Sequence, residues 1–151
     1  MTQEDKELLL KDLSARLPYG VKAYVKNWSN FKTYEDVYVV ESTFPSLNEV
    51  HVQSERGSLD VIIGYYDYEF KPYLFPLSSM TDEQKEELQK LGWYLDGDDI
   101  SNSESYYSED ADYVTHFECY SLIDWLNKNH FDYRGLIEKG LALDATGKNI
   151  Y

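Results

Sequence analysis

Three histidines and a single cysteine are the residues best suited to metal or nucleophilic chemistry. A Cys–His nucleophile pair needs thiol and imidazole within hydrogen-bond reach. His116 and Cys119 lie close together in "YVTHFEC", residues 113–119, which alternates like a strand. Tyr113, Thr115, Phe117 and Cys119 would share one face, and Val114, His116 and Glu118 the other. Strand side chains an odd number of residues apart point to opposite faces, so the pair is not expected to meet. Cys119 reads instead as a buried, inert thiol. His51 sits on the polar face of "NEVHVQS" (48–54). Were the two strands neighbours, His51, His116 and Glu118 could supply the three protein ligands of a metal site. Polar contacts of this kind on a wet sheet face are commoner than metal sites, so no metal and no cofactor is expected. His130, in "NKNHFDYRG", falls at a predicted helix end, where an imidazole is favourable beside the dipole.

Carboxylates raise the second possibility. Asp96, Asp98 and Asp99 open the stretch "DGDDISNSESYYSE". An EF-hand loop needs acids or amides at positions 1, 3 and 5, Gly at 6 and Glu at 12. Counted from Asp96, those last three positions hold Ile100, Ser101 and Tyr107, and the pattern fails. No Gly-rich phosphate loop, nucleophile elbow or HExxH helix is present. Glu83 and Glu87 share a helix face as surface charges. No catalytic residue is therefore expected.

The distribution of charge says more. From Leu91 to Asn127 there is no Lys or Arg, while Asp96, Asp98, Asp99, Glu104, Glu109, Asp110, Asp112, Glu118 and Asp124 accumulate. Tyr106 and Tyr107 stand in the middle of them. Lys11 to Tyr34, in contrast, carries Lys11, Arg16, Lys22, Lys26 and Lys32 against Asp12 alone. In "KAYVKNWSNFK" (22–32), Lys22, Lys26 and Lys32 could hold phosphates while Tyr24, Trp28 and Phe31 stack bases. Acids outnumber bases 28 to 14 overall, however, for a net charge of −14. That charge repels a phosphate backbone, so a nucleic-acid partner is disfavoured.

The elements that must position these residues follow from periodicity. Residues 3–16 form a predicted helix, with Thr2 as cap, Asp5 near its positive end, and Leu9, Leu10, Leu13 and Leu17 as its stripe. Pro18 stops it. Strands are expected at 21–26, 36–44, 48–54 and 58–64, joined by a loose turn at "FPSLN" and a hairpin at "SERGS". In "GYYDYEFKPYLFPLSSM" (64–80), Tyr66, Tyr68 and Phe70 alternate with Tyr65, Asp67 and Glu69. The first three are expected to pack and the others to face water. Pro72 and Pro76 suggest that "KPYLFPLSS" is an extended connector. A second helix is predicted at 82–91, with Thr81 and Gln84 as its capping box. Residues 95–112 have the composition of a loop. After the strand at 113–119, a third helix is expected near 121–129, followed by a turn, a short helical piece and an irregular tail. The whole reads as one α+β domain spanning 1–151, a mainly antiparallel sheet of about five strands with helices near both ends.

Two stretches, "KPYLFPLSSMT" (71–81) and "DWLNKNHFDYRGLIEKGLALDA" (124–145), resemble a family of short uncharacterised proteins. Gut anaerobic bacteria, their phages and integrated elements carry that family. "LLLKDLSARLPYG" (8–20) is similar more faintly. The resemblance implies an intracellular accessory protein; it brings no activity, cofactor or catalytic residue with it.

Composition narrows the class further. The chain of 151 residues is 42% hydrophobic and has no apolar run of about 18 residues of the kind that spans a membrane. Its start, "MTQEDKELLLKDL", is acidic, so export is not expected. One cysteine cannot form an internal disulfide, which fits a reducing cytoplasm. The expectation is a noncatalytic accessory protein acting by protein–protein contact on a partner with a basic surface. Asp98, Asp99, Tyr106, Tyr107, Glu109 and Asp110 are the expected contact residues, and their carboxylates could mimic nucleic-acid phosphates. The alternatives are a small metal-dependent enzyme built on His51, His116 and Glu118, or a single-stranded nucleic-acid binder.

Overall fold

The computed structural model describes residues 1–28, 34–97, 99–102 and 116–151, without the side chains of 116–119. The first helix, α1 (Gln3–Arg16), starts with a full capping box. The Thr2 hydroxyl accepts from the Asp5 N–H, and the Asp5 carboxylate accepts from the Thr2 N–H. Two backbone donors that the helix itself cannot satisfy are thereby paired. A 3-10 turn at Leu17–Tyr19 ends the helix, and Gly20, at φ 66°, reverses the chain. Glycine suits that left-handed conformation because it has no Cβ to clash.

Six strands form the main sheet: β1 (Lys22–Asn27), β2 (Tyr34–Phe44), β3 (Glu49–Ser54), β4 (Gly57–Ile62), β5 (Tyr68–Leu74) and β8 (Leu143–Asp144). Their order is β4-β3-β2-β1-β5-β8. The first four make the expected antiparallel meander. β2 serves two partners: β1 pairs with Tyr34 to Val39, and β3 with Val39 to Phe44, with a register shift between Val40 and Ser42. β5 lies antiparallel to β1, and the short β8 runs parallel to β5. One face of this sheet carries Ala23, Val25, Val40, Val50, Val52, Val61 and Phe70. They pack with Leu9, Leu10 and Leu13 of α1.

A second cluster joins α2 (Asp82–Lys90), α3 (His116–Lys128) and a separate hairpin, β6 (Trp93–Asp96) with β7 (Asp99–Asn102). Leu77, Met80, Leu88, Leu122, Leu126 and Phe131 form its buried centre. The capping box expected at Thr81 and Gln84 is present.

Four expectations need correction. Residues 116–119 begin α3 and are not the end of a strand, so the third helix starts before the expected 121. A short alternating run cannot tell a strand from part of a buried helix, and here Leu122 and Leu126 anchor the helix against the second cluster. Part of the expected loop at 95–112 is the β6–β7 hairpin. Its Asp- and Gly-rich composition concealed an alternation in which Trp93, Leu95 and Ile100 pack inward. "KPYLFPLSS" is a connector only at its end, since β5 runs through Pro72 to Leu74. β8 reaches only Tyr73 and Leu74, so among the described residues no strand beside Pro72 on that flank of β5 requires an N–H. Finally, Phe70 is buried and Tyr68 half-buried as expected, but Tyr66 precedes β5 and is 79% exposed.

Leu13 is completely buried between α1 and the sheet. Leu13→Ala is expected to reduce unfolding free energy by about 2–5 kcal/mol, read from urea denaturation. A loss below about 1 kcal/mol would show that this contact does not carry the packing described.

Candidate interaction surface

Strand alternation in the β6–β7 hairpin divides its side chains cleanly. Trp93, Leu95 and Ile100 meet the second cluster, while Tyr94, Asp96 and Asp99 are exposed. Asp96 and Asp99 are direct cross-strand partners. Like charges placed opposite each other repel, and the packed underside of Trp93, Leu95 and Ile100 holds them there. The hairpin rests on an ordered base. The Trp125 Nε1–H of α3 donates to Glu87 Oε2 of α2 at 3.1 Å, and the Trp125 ring stacks on Phe131 at 5.6 Å. Of the six expected contact residues, Asp99 lies on this exposed face. Asp98, Tyr106, Tyr107, Glu109 and Asp110 lie outside the described residues.

His51 occupies the sheet face turned away from α1. Its Nδ1 lies 2.6 Å from Asp60 Oδ1 on the next strand, and its Nε2 4.0 Å from Glu41 Oε2. The hydrogen bond to Asp60 raises the imidazole pKa above 6.5, with help from the charges of Asp60, Glu41 and Glu49 and against some desolvation. His116 and Glu118 both belong to the first turn of α3, so no strand pairing brings them alongside His51. Among the described residues no group of three His, Cys, Asp or Glu side chains could hold a metal ion. The strand geometry used to separate His116 from Cys119 is absent too. On the same sheet face, an open groove of about 730 Å³ runs over Val37 and Val39, with Glu41 and Glu55 among the residues lining it.

The lysines proposed to hold phosphates are already engaged. Lys22 Nζ donates to the Ile150 carbonyl at 2.6 Å, and Lys26 sits 3.9 Å from Glu35 and over the Trp28 ring. The Tyr24 hydroxyl donates to Glu35, and burial followed by that hydrogen bond pushes its pKa up to about 12. The Glu35 carboxylate thus lies between Tyr24 and Lys26, where a phosphate track would need its anion. Phe31 and Lys32 lie outside the described residues.

Sequence reasoning missed the most buried polar group. Asp12 and Arg16 of α1 are both fully buried and form a two-point ion pair, with Arg16 Nε 2.7 Å and Nη2 3.1 Å from the carboxylate. Arg16 Nη2 also donates to the Phe131 carbonyl at 2.7 Å, and Arg134 Nε donates to Asp12 at 3.1 Å. Asp132 accepts from the N–H groups of Leu136 and Ile137. A readable signal existed: Leu9, Asp12, Leu13 and Arg16 lie at spacings of three and four, which places both charges on the apolar stripe. His130 also differs from expectation. It is buried at φ 57°, and desolvation, then the charges of Arg16 and Lys22, lower its pKa to about 4. The ring is therefore neutral, and the expected cation–dipole interaction is not made.

Compared with known proteins, the chain matches no family model, no curated protein and no solved structure.

The two histidines should respond to pH in opposite senses. The folded-state pKa of His51 is raised, so its contribution to stability is complete below about 6.5 and lost as pH climbs through the folded value. Asp60→Asn is expected to bring the His51 midpoint, followed by NMR, back toward 6.5. The His130 pKa is depressed, so its contribution is complete above 6.5 and disappears as pH falls toward about 4. A His130 midpoint near 6.5 in the folded protein would contradict its burial.

Proposed function

We propose that this protein is a noncatalytic accessory protein that works by protein–protein contact, presenting an acidic, tyrosine-bearing surface to a basic partner. One observation carries the reading. The β6–β7 hairpin buries its apolar side and turns Tyr94, Asp96 and Asp99 to solvent, with two aspartates facing each other across the strands. The sequence supplies Asp98 between these strands and Tyr106, Tyr107, Glu109 and Asp110 after them, with no intervening Lys or Arg. A basic surface would relieve the repulsion between Asp96 and Asp99, and the tyrosines would add apolar area with a polar tip. Such a row of carboxylates resembles phosphates in charge, so the partner's basic face is read as one that also accepts nucleic acid. Membership in the resembled family and a cytoplasmic location fit an accessory role of this kind.

The reading makes stability and binding move in opposite directions. Asp99→Asn is expected to raise the midpoint of thermal unfolding and to weaken capture of the partner from host lysate. Lysine at Asp98, Asp99, Glu109 and Asp110, with alanine at Tyr106 and Tyr107, should abolish that capture, as should high salt in the unaltered protein. Capture that survives both changes would remove the acidic surface as the cause.

A further inference from the structure

The two edges of the main sheet are finished differently. On one side β8 is only two residues long, and beside it β5 carries Pro72, which has no N–H to offer. On the other, β4 keeps an unbroken six-residue register with β3 and contains no Lys, Pro or bulge. Short strands, prolines, lysines and bulges are the usual means of keeping an edge from pairing with another chain. Among the described residues, no strand lies on the outer side of β4.

The hydrogen bonds that β4 already makes fix which groups it turns outward. The Ile63 N–H donates to the Asn48 carbonyl at 2.7 Å, so the rung just beyond β4 is a bonded one. Bonded and non-bonded rungs alternate in an antiparallel pair. Val61 and Leu59 therefore bond to β3, while Ser58, Asp60 and Ile62 point their N–H and C=O groups away from it. The Ile62 carbonyl accepts from the Tyr65 N–H at 3.1 Å, as an outward group can. Ser58 and Asp60 are left to present both groups at the edge. Their side chains are exposed on the sheet face that carries His51, and Leu59 is half-buried against the core on the other.

We propose that β4 is where a second copy of this chain adds, antiparallel, to make one continuous sheet across a two-fold axis at Leu59. In that register Ser58 lies opposite Asp60 of the second copy, and each copy gives the N–H and C=O of both residues to the other. The Ser58 hydroxyl can then donate to the facing Asp60 carboxylate, twice by symmetry. Asp60 Oδ1 is already 2.6 Å from His51 Nδ1, so a neutral hydroxyl suits its other oxygen better than a second cation from a basic partner. Neighbouring registers are worse. An axis at Asp60 sets like charges opposite each other, and one at Val61 needs the Ile62 carbonyl that Tyr65 occupies. The edge is separate from the acidic hairpin and does not rely on it.

Sedimentation equilibrium of the full chain over a concentration series tests the pairing, and a monomer–dimer equilibrium is expected. Ser58→Pro removes an N–H that faces away from β3, so the variant should stay folded by circular dichroism and remain monomeric. In a Cys119→Ser background, Leu59→Cys should cross-link to its copy on oxidation, because non-bonded antiparallel partners lie about 4.5 Å apart. Ile62→Cys, off the axis, should not. Salt should tighten this dimer, since both copies carry a charge of −14, whereas it releases a basic partner from the hairpin. A chain that stays monomeric at about 1 mM would overturn the proposal, as would a dimer that survives in folded Ser58→Pro. If that variant does not fold, hydrogen exchange of the Ser58 and Asp60 amides in the intact chain takes its place. Protection that grows with chain concentration is expected, and exchange independent of concentration would refute the edge as the interface. A monomer whose captured lysate partner is lost with Ser58→Pro would give the edge to a different protein and likewise overturn the proposal.

Discussion

Arg16 holds a guanidinium where no water reaches it, and much of the architecture is arranged around that fact. Its nearest counter-charge is Asp12, one turn earlier on the same helix. Its third hydrogen bond leaves the helix for the carbonyl of Phe131. Phe131 is in turn bridged to Phe75 just beyond β5, and Arg134 returns to the same Asp12 carboxylate. The first helix, the end of β5 and the turn after α3 therefore meet at one buried ionic joint. Desolvating such a pair offsets most of its attraction, and an apolar replacement of the whole joint can be as stable. Loss of one member is different, because it strands a charge. The joint therefore specifies which segments meet more than it adds to stability.

Three separate stretches of the chain converge here. Residues 8–20 supply Asp12 and Arg16, residues 71–81 supply Phe75, and residues 124–145 supply Phe131, Asp132 and Arg134. Segments far apart in the chain thus meet as scaffold, at a separation that no local pattern reveals. The exposed features, the acidic hairpin and the sheet face bearing His51, are built on that scaffold without sharing its residues.

What was legible in the sequence was local. The first helix, its cap, the meander and the capping box at Thr81 all rest on interactions within a few residues, and they stand as read. Misreadings arose where distant partners decide. Residues 116–119 alternate like a strand but coil because Leu122 and Leu126 have α2 and Phe131 to pack against. Tyr66 continues an alternation that the chain abandons one turn before β5 begins. His51 was correctly placed on a polar sheet face, yet its partner is Asp60 on the neighbouring hairpin strand, not a residue from the far end of the chain. Asp12 and Arg16 read as ordinary surface charges until their spacing is compared with that of the leucines beside them.

A double-mutant cycle on Asp12 and Arg16 tests the central role of the joint most directly. Asp12→Leu strands the Arg16 guanidinium and should lose about 3–5 kcal/mol of unfolding free energy, while Arg16→Met leaves Asp12 paired with Arg134 alone and should lose less. Combined, they should lose clearly less than the sum, because no unpaired partner remains between these two positions. Losses that simply add would mean the two groups act independently, and the joint would not be the constraint around which the fold is organised.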